Sequence, residues 1–258
     1  PRLIVSDVDS TFIRGEAIDM LADAAGSGPR VAAITEAAMN GELDFAEALA
    51  ERVATLEGLS VDRVESIADS IEPVPGAETL VATAHARGCA VGLVSGGFIE
   101  VIGGLARRLG VDCVLANRLE TSGGALTGRT EGEIVTRERK AEALRRWSEG
   151  GRLPGADLPG GSDSPEGSNL PKDPDSPLEA RGREGADARS RGFPSPRERI
   201  DLSETVAAGD GSNDLSMMEI AGLSVAVCAK PAVLAAADAA VTRPRLDILA
   251  AILGWDAV

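Results

Sequence analysis

RLIVSDVDSTFIRGE, residues 2–16, sets an apolar run, Leu3, Ile4 and Val5, directly before two acids one residue apart, Asp7 and Asp9. The run reads as a strand heading into a core. Side chains alternate faces along a strand, so a regular continuation would press both carboxylates together on one side. Something must neutralise them: a raised pKa on one of the pair, a basic partner, or a divalent cation.

Further along the chain, β-like runs at 89–95, 111–116, 205–210 and 224–228 alternate with helix-like segments, the last of them at 246–255. Such alternation predicts βαβ units and a parallel sheet sandwiched by helices, an α/β Rossmann-like fold. In open sheets of this kind ligands sit beyond the carboxyl ends of the strands. Three of the five predicted strands end on Asp7, Ser95 and Asp210, and the chemistry is expected there. Between the first two strands lies a segment far longer than a single crossover helix requires. It reads as four helices, with Asp44 as an N-cap, Gly26, Gly41 and Gly58 as stops, and Pro73-Val74-Pro75-Gly76 as the return to the sheet. The expected organisation is a core of residues 1–14 and 76–258 with a small helical cap domain, 15–75, inserted after strand one. Residues 116–135 read as a β-hairpin turning at Gly123-Gly124, an accessory element. Residues 148–199 hold eight of the fourteen prolines with no sustained apolar periodicity. They read as a mobile insert at the amino end of the fourth strand, remote from the chemistry.

Composition restricts the function. A chain of 258 residues, 43% hydrophobic, can bury a sizeable core. A net charge of -15 disfavours nucleic acid and anionic membranes as partners and requires local positive charge for any anionic substrate. No signal segment and no apolar run of bilayer length is legible, which predicts a cytoplasmic location. Cys89, Cys113 and Cys228 are scattered and read as buried thiols. With one histidine, His85, and no tyrosine, acid–base chemistry falls to carboxylates or lysine.

Four features then stand in order: DVDST at 7–11, Ser95 in VSGGF, Lys140 in RERKAEAL, and GDGSND at 209–214. Singly, each also reads as ordinary structure: a solvated strand end, a tight turn, an exposed helix charge, a loop. Together the sequence resembles the haloacid dehalogenase superfamily of phosphotransferases. The stretches DVDSTFIRGEAIDMLA, ITEAAMNGELDFAEALAERV, ANRLE, LTGR and AKP extend the likeness to its phosphoserine phosphatase branch over nearly the whole chain except the insert. The resemblance implies that Asp7 attacks phosphorus to form an aspartyl phosphate. Asp9 serves as general acid and then base, its side chain left free to move protons. Mg²⁺ is held by the Asp7 carboxylate, the Asp9 main-chain oxygen and Asp210, with Asp214 behind the metal. Lys140, Ser95, the Gly96 amide and Asn213 are expected around the phosphoryl group.

Phe45, Leu49 and Arg52 fall at i, i+4 and i+7, on one helical face. On spacing alone the first two read as core and Arg52 as the partner of a nearby acid. The resemblance implies instead that Arg52 binds a substrate carboxylate, Phe45 closes over it, Glu16 takes the ammonium group and Met39 lines the cavity. The small-molecule substrate implied is O-phospho-L-serine, in the last step of phosphorylated serine biosynthesis. Two other readings stay open: a phosphatase or phosphotransferase of the same superfamily acting on another small phosphate, and a receiver-like phospho-aspartate signalling domain. A receiver needs neither Asp9 nor Arg52. Ala48, where many relatives carry serine, and the insert depart from the family pattern.

Overall fold

The computed structural model describes residues 1–151, 156–157 and 199–256. The expected insert therefore falls almost wholly outside the described residues. β1 (Leu3–Ser6) is buried along its whole length and lies in the middle of the sheet, between β2 (Ala90–Phe98) and β6 (Thr205–Gly209). Both pairings are parallel, Val5 facing Gly92 on one side and Ala207 on the other. β3 (Cys113–Ser122) flanks β2 and carries β4 (Ala125–Glu131) antiparallel beyond it, while a short β5 (Ala156–Asp157) also pairs with β3. On the other side β7 (Leu223–Val227) and β8 (Ala239–Val241) complete the order β4-β3-β2-β1-β6-β7-β8. β8 is an element that its three residues were too short to announce.

Strand alternation sends Leu3 and Val5 to one face and Ile4 to the other. On the first face Leu3, Val5, Val94 and Leu115 pack against α7 (Arg137–Ser148) and α8 (Leu215–Ile220), with Trp147 fully buried among them. On the second face Ile4, Val91, Leu93 and Val206 pack under α5 (Ala77–Ala86), α6 (Ile99–Leu109) and α10 (Asp247–Ile252). α10 is shorter than the 246–255 expected. α9 (Pro231–Ala236) follows β7, its proline in the first turn.

Four helices fill the interval between β1 and β2: α1 (Ala17–Ala25), α2 (Gly28–Met39), α3 (Phe45–Ala54) and α4 (Val61–Ser70). Asp44 caps α3 in a reciprocal box with Glu47, the side chain of each accepting from the main-chain N–H of the other. Gly26, in the left-handed region at φ 71°, stops α1. Leu21, Val31, Leu49, Val53, Val64 and Ile67 from these helices belong to the same apolar cluster as the second face of the sheet. No helix among the described residues is long and apolar enough to cross a membrane.

Two strands depart from the sequence reading. β2 does not end at Ser95 but continues to Phe98, and its register against β3 shifts between Val94, opposite Leu115, and Phe98, opposite Asn117. Ser95, Gly96 and Gly97 thus form a bulge, which bends the strand and re-aims its side chains. β3 runs unbroken from the sheet into the hairpin, and the hairpin is more than an accessory. Its tip pairs with the loop between α3 and α4: the Gly58 N–H donates to Leu126 O (2.9 Å), the Leu126 N–H to Leu59 O (2.8 Å) and the Val61 N–H to Gly124 O (2.9 Å).

Candidate active site

The carboxyl ends of β1, β2 and β6 and the lower faces of α1 and α3 enclose a cavity of about 170 Å³. Asp7, Asp9, Glu16, Phe45, Arg52, Gly96, Asp210 and Asn213, all expected at the site, line it together with Ile18, Leu49, Gly97, Phe98, Gly211 and Lys230. Ser95, Lys140 and Asp214 lie fully buried just behind this lining. The side chain of Met39 lies outside those described.

Regular strand geometry stops at Ser6. Beyond Asp7 the chain wraps around the Val8 carbonyl, which accepts from the amides of Thr11, Phe12 and Ile13. This turn separates the two acids that a straight strand would have pressed together. Ser10 within it is held at φ 57°, a region costly for a residue with a Cβ. In that pose its hydroxyl donates to Glu16 Oε1 at 2.9 Å.

Lys140 reaches the site because α7 turns one face inward. Lys140, Leu144 and Trp147, at i, i+4 and i+7, are all buried. Its ammonium donates to Asp7 Oδ1 at 2.5 Å and to Asp214 Oδ1 at 2.7 Å, with no exposure to solvent. Burial disfavours the charge on Lys140, but the two carboxylates outweigh it and lift the lysine above its ordinary range. Burial likewise pushes the Asp7 carboxyl up, with Lys140 opposing and Asp214 and Asp9 adding to the rise. The second oxygen of Asp214 accepts from the amides of Gly211 (3.0 Å) and Asp210 (3.2 Å), which folds the 209–214 loop around it. Carboxylate oxygens of Asp7, Asp210 and Asp214 lie within 4.8 Å of one another. Three carboxylates against one ammonium leave two negative charges, the surplus that one divalent cation balances. Hard oxygen donors in this arrangement suit magnesium.

Asp9 differs from expectation. Its side chain is not free: Oδ1 accepts from the Ala17 amide at 2.7 Å and Oδ2 from the Ser95 hydroxyl at 2.8 Å. The turn at Val8 swings Asp9 beneath the start of α1, whose own N-cap residue, Glu16, supplies no side-chain bond. Asp9 satisfies that orphan donor from outside the helix. Ser95 Oγ in turn accepts from the Gly97 amide at 2.7 Å. A Cβ on Gly97 would stand 2.7 Å from Asp9 Oδ2 and 3.0 Å from Ser95 Oγ, so glycine is required for this approach.

Above the carboxylates, α3 presents Phe45, Leu49 and Arg52 to the cavity. Phe45 remains 41% exposed, its ring 3.4 Å from where a Cβ of Gly96 would lie. Arg52 spends Nε on its own helix, donating to Ala48 O at 3.1 Å, and no carboxylate among the described residues forms an ion pair with its terminal nitrogens. Burial lowers its pKa, opposed by Glu16, Asp19 and Asp9. Glu16 stands opposite at the rim; burial raises its pKa and the Asp9 charge adds to this. The cavity thus offers an acid and a base that are not satisfied by each other.

Lys230 and Asn117 are the residues that sequence reasoning passed over. Lys230 lies three residues beyond the end of β7, and the rule that strand ends carry chemistry would have found it had it been applied to that strand. Asn117 sits in ANRLE with no local signal to mark it as part of a site.

The sequence matches the haloacid dehalogenase-like hydrolases over residues 4–165 and again over 196–247. A phosphoserine phosphatase of Mycobacterium tuberculosis is 42% identical over 98% of the chain, which spans half the length of that relative. One from Lactococcus lactis is 38% identical over 91% of the chain and 87% of its own length. Among solved structures, a phospho-aspartyl intermediate analogue of phosphoserine phosphatase superposes with a TM-score of 0.73 at 32% identity, covering 97% of each chain.

Proposed function

The chain belongs to the haloacid dehalogenase-like hydrolase family, and from that premise we propose that it is a phosphoserine phosphatase, hydrolysing O-phospho-L-serine to L-serine and phosphate. One observation carries the substrate assignment: Arg52 and Glu16, neither of which has an ion-pair partner among the described residues, face one small cavity lined by Asp7 and Asp9, with Lys140 buried behind them. A phosphorylated amino acid has the matching groups, a carboxylate for the guanidinium, an ammonium for Glu16 and a phosphoryl group for the floor. Burying both charges is costly unless the substrate pairs each, which penalises esters lacking either group.

Asp7 attacks phosphorus and the serine oxygen departs, leaving an aspartyl phosphate on Asp7. Asp9, beside it, delivers the proton to the leaving alkoxide from Oδ2, the oxygen vacated when the Ser95 hydroxyl turns to the phosphoryl group, while Oδ1 stays held by the Ala17 amide. In the second half it withdraws a proton from water, which attacks phosphorus and releases Asp7. Lys140 neutralises charge on Asp7 and on the phosphoryl group, and its second bond to Asp214 keeps the ammonium in place. The Gly96 amide and Asn213 bind the remaining phosphoryl oxygens, joined by the Ser95 hydroxyl once it turns from Asp9 Oδ2 to the arriving group. Asp7, the main-chain oxygen of Asp9 and Asp210 are the proposed Mg²⁺ ligands; Asp214, with both oxygens already engaged, stands behind them. When bound, the ion supplies positive charge to the transferring phosphoryl group. Residues 15–75 act as the cap, with Phe45 closing over the cavity. The reaction fits the last step of phosphorylated serine biosynthesis and a cytoplasmic setting.

Purified protein with Mg²⁺ should hydrolyse phospho-L-serine much faster than phosphoethanolamine, which lacks the carboxylate for Arg52. Equal rates would overturn the substrate. Asp7→Asn should abolish turnover, and normal activity in that variant would exclude the covalent route.

A further inference from the structure

The turn at 95–97 is the proposed phosphate-binding turn of the site. Two successive glycines give its central peptide the widest conformational freedom a chain can have. Yet that peptide, between Gly96 and Gly97, is held at both ends. Its carbonyl oxygen accepts from Asn117 Nδ2 at 2.7 Å, and its N–H donates to Ser95 Oγ at 2.7 Å. Asn117 is 2% exposed, and its own oxygen accepts from the Val135 amide at 2.7 Å, immediately before α7 and Lys140.

We propose that Asn117 is a positioning residue for phosphoryl binding, fixing the Gly96–Gly97 peptide so that Ser95 and the Gly96 amide face the phosphoryl group. This rests on the reading of that turn as the phosphate site. The polarity of the bonds makes the argument specific. Because the Gly97 N–H enters Ser95 Oγ, the serine hydrogen must leave in another direction, and it goes to Asp9 Oδ2 at 2.8 Å. A flipped peptide would remove the Gly97 donor and set a carbonyl oxygen against Ser95 Oγ, drawing the hydroxyl hydrogen to that oxygen and away from Asp9 and the phosphoryl group. Asn117 lies where β2 and β3 resume pairing after the bulge, opposite Phe98. From there its side chain spans the gap that the bulge opens and reaches Gly96 O. Both ends of its amide are used, one as donor and one as acceptor, a match that aspartate, leucine or alanine would each break.

The test uses inorganic phosphate and L-serine as separate probes, by calorimetry with the unaltered protein and with Asn117→Asp and Asn117→Ala, in Mg²⁺. Asn117→Asp keeps the shape and the acceptor for Val135 but sets an oxygen against Gly96 O. The expected result is phosphate affinity weakened about tenfold or more, with L-serine affinity, read by Glu16 and Arg52, within about twofold. Phosphate affinity close to that of the unaltered protein in a folded variant would overturn the proposal. So would a parallel loss for both probes, the mark of a general structural role. Should neither variant fold, hydrogen exchange in the unaltered protein decides: Val135 and Gly97 amides protected like those of Leu93 and Val94 in the regular part of β2 support the clamp, and exchange at open-loop rates overturns it. Failure to hydrolyse phosphoserine would overturn the proposed substrate alone, since phosphate binding is measured without it.

Discussion

Arg52 is a guanidinium with one hydrogen bond inside its own helix and no ion-pair partner among the described residues, facing a cavity. Its contribution therefore appears when substrate arrives and not in folding. Arg52→Ala should raise KM for phospho-L-serine by about 10- to 100-fold, the loss of one charged hydrogen-bonded contact, with kcat changed far less. Steady-state kinetics at saturating Mg²⁺ read this directly. His85, the one histidine, does the opposite: it serves the fold, at the amino ends of the strands. Its Nε2 bonds Asp112 Oδ2 at 2.9 Å, and that carboxylate oxygen also takes the Val91 amide at 2.7 Å. The bond to Asp112 raises the His85 pKa above its usual 6.5, against the pull of burial. A raised folded value gives stability that is complete below the unfolded pKa and is lost as pH rises through the folded one. The gap in urea midpoint between the unaltered protein and His85→Gln should be open at about pH 5.5 and closed by about pH 9. A gap independent of pH would deny the ionic part of this contact. Legibility at this scale followed chemistry. Asp7 and Asp210 were readable because each is an acid at a strand end, whereas Lys140, one charge among several in RERK, stood out only through the family resemblance. The pairing of Asp9 with the Ala17 amide was not readable, since it depends on how the first helix leaves the turn.

The hairpin β3–β4 shows what a local pattern leaves out. Its turn at Gly123 and Gly124, at φ 60° and 82°, was legible from the glycine pair alone. Its pairing with residues 58–61 was not, because main-chain bonds between distant segments leave no trace in side-chain pattern. The same holds for the bulge at 95–97, where the surplus residues are counted only against the partner strand. Through these contacts the hairpin becomes the strut on which α3 rests. A Cβ on Gly128 would lie 3.2 Å from Glu57 Cβ and 3.3 Å from Ala54 Cα, at the end of the helix that carries Arg52, and Gly128 is held at φ 79°. Gly128→Val should therefore cost about 1–3 kcal/mol of stability and push that helix end away from the sheet. KM for phospho-L-serine should rise several-fold, while inhibition by inorganic phosphate, which needs only the sheet-end residues, stays near its original value. Equal losses for both ligands would show that the strut sets the whole site and not only its upper half.

Taken as one charged body, the protein carries a net charge of -15 and draws an anion into a cavity rimmed by Asp9, Glu16 and Asp210. The composition already required local positive charge; the structure shows how little of it is within reach of solvent. Lys140 is buried and committed to Asp7 and Asp214, and Arg52 is partly buried on α3. Lys230 is the exposed cation of the cavity lining, held there by its own amide, which donates to Asp210 O at 3.1 Å, and by Pro231, which starts α9 behind it. An exposed charge at a cavity mouth acts over about a Debye length, roughly 10 Å at 0.1 M salt, and its effect fades as salt is added. Lys230→Gln should leave kcat near its original value and raise KM for phospho-L-serine about threefold at low ionic strength, a modest effect fitting one screened charge. The difference should vanish by about 0.5 M salt, and Lys230→Arg should behave as the unaltered protein. A KM difference that persists in high salt would mean that Lys230 touches the bound substrate, and the charge reading the incoming anion would have to be sought elsewhere on this acidic surface.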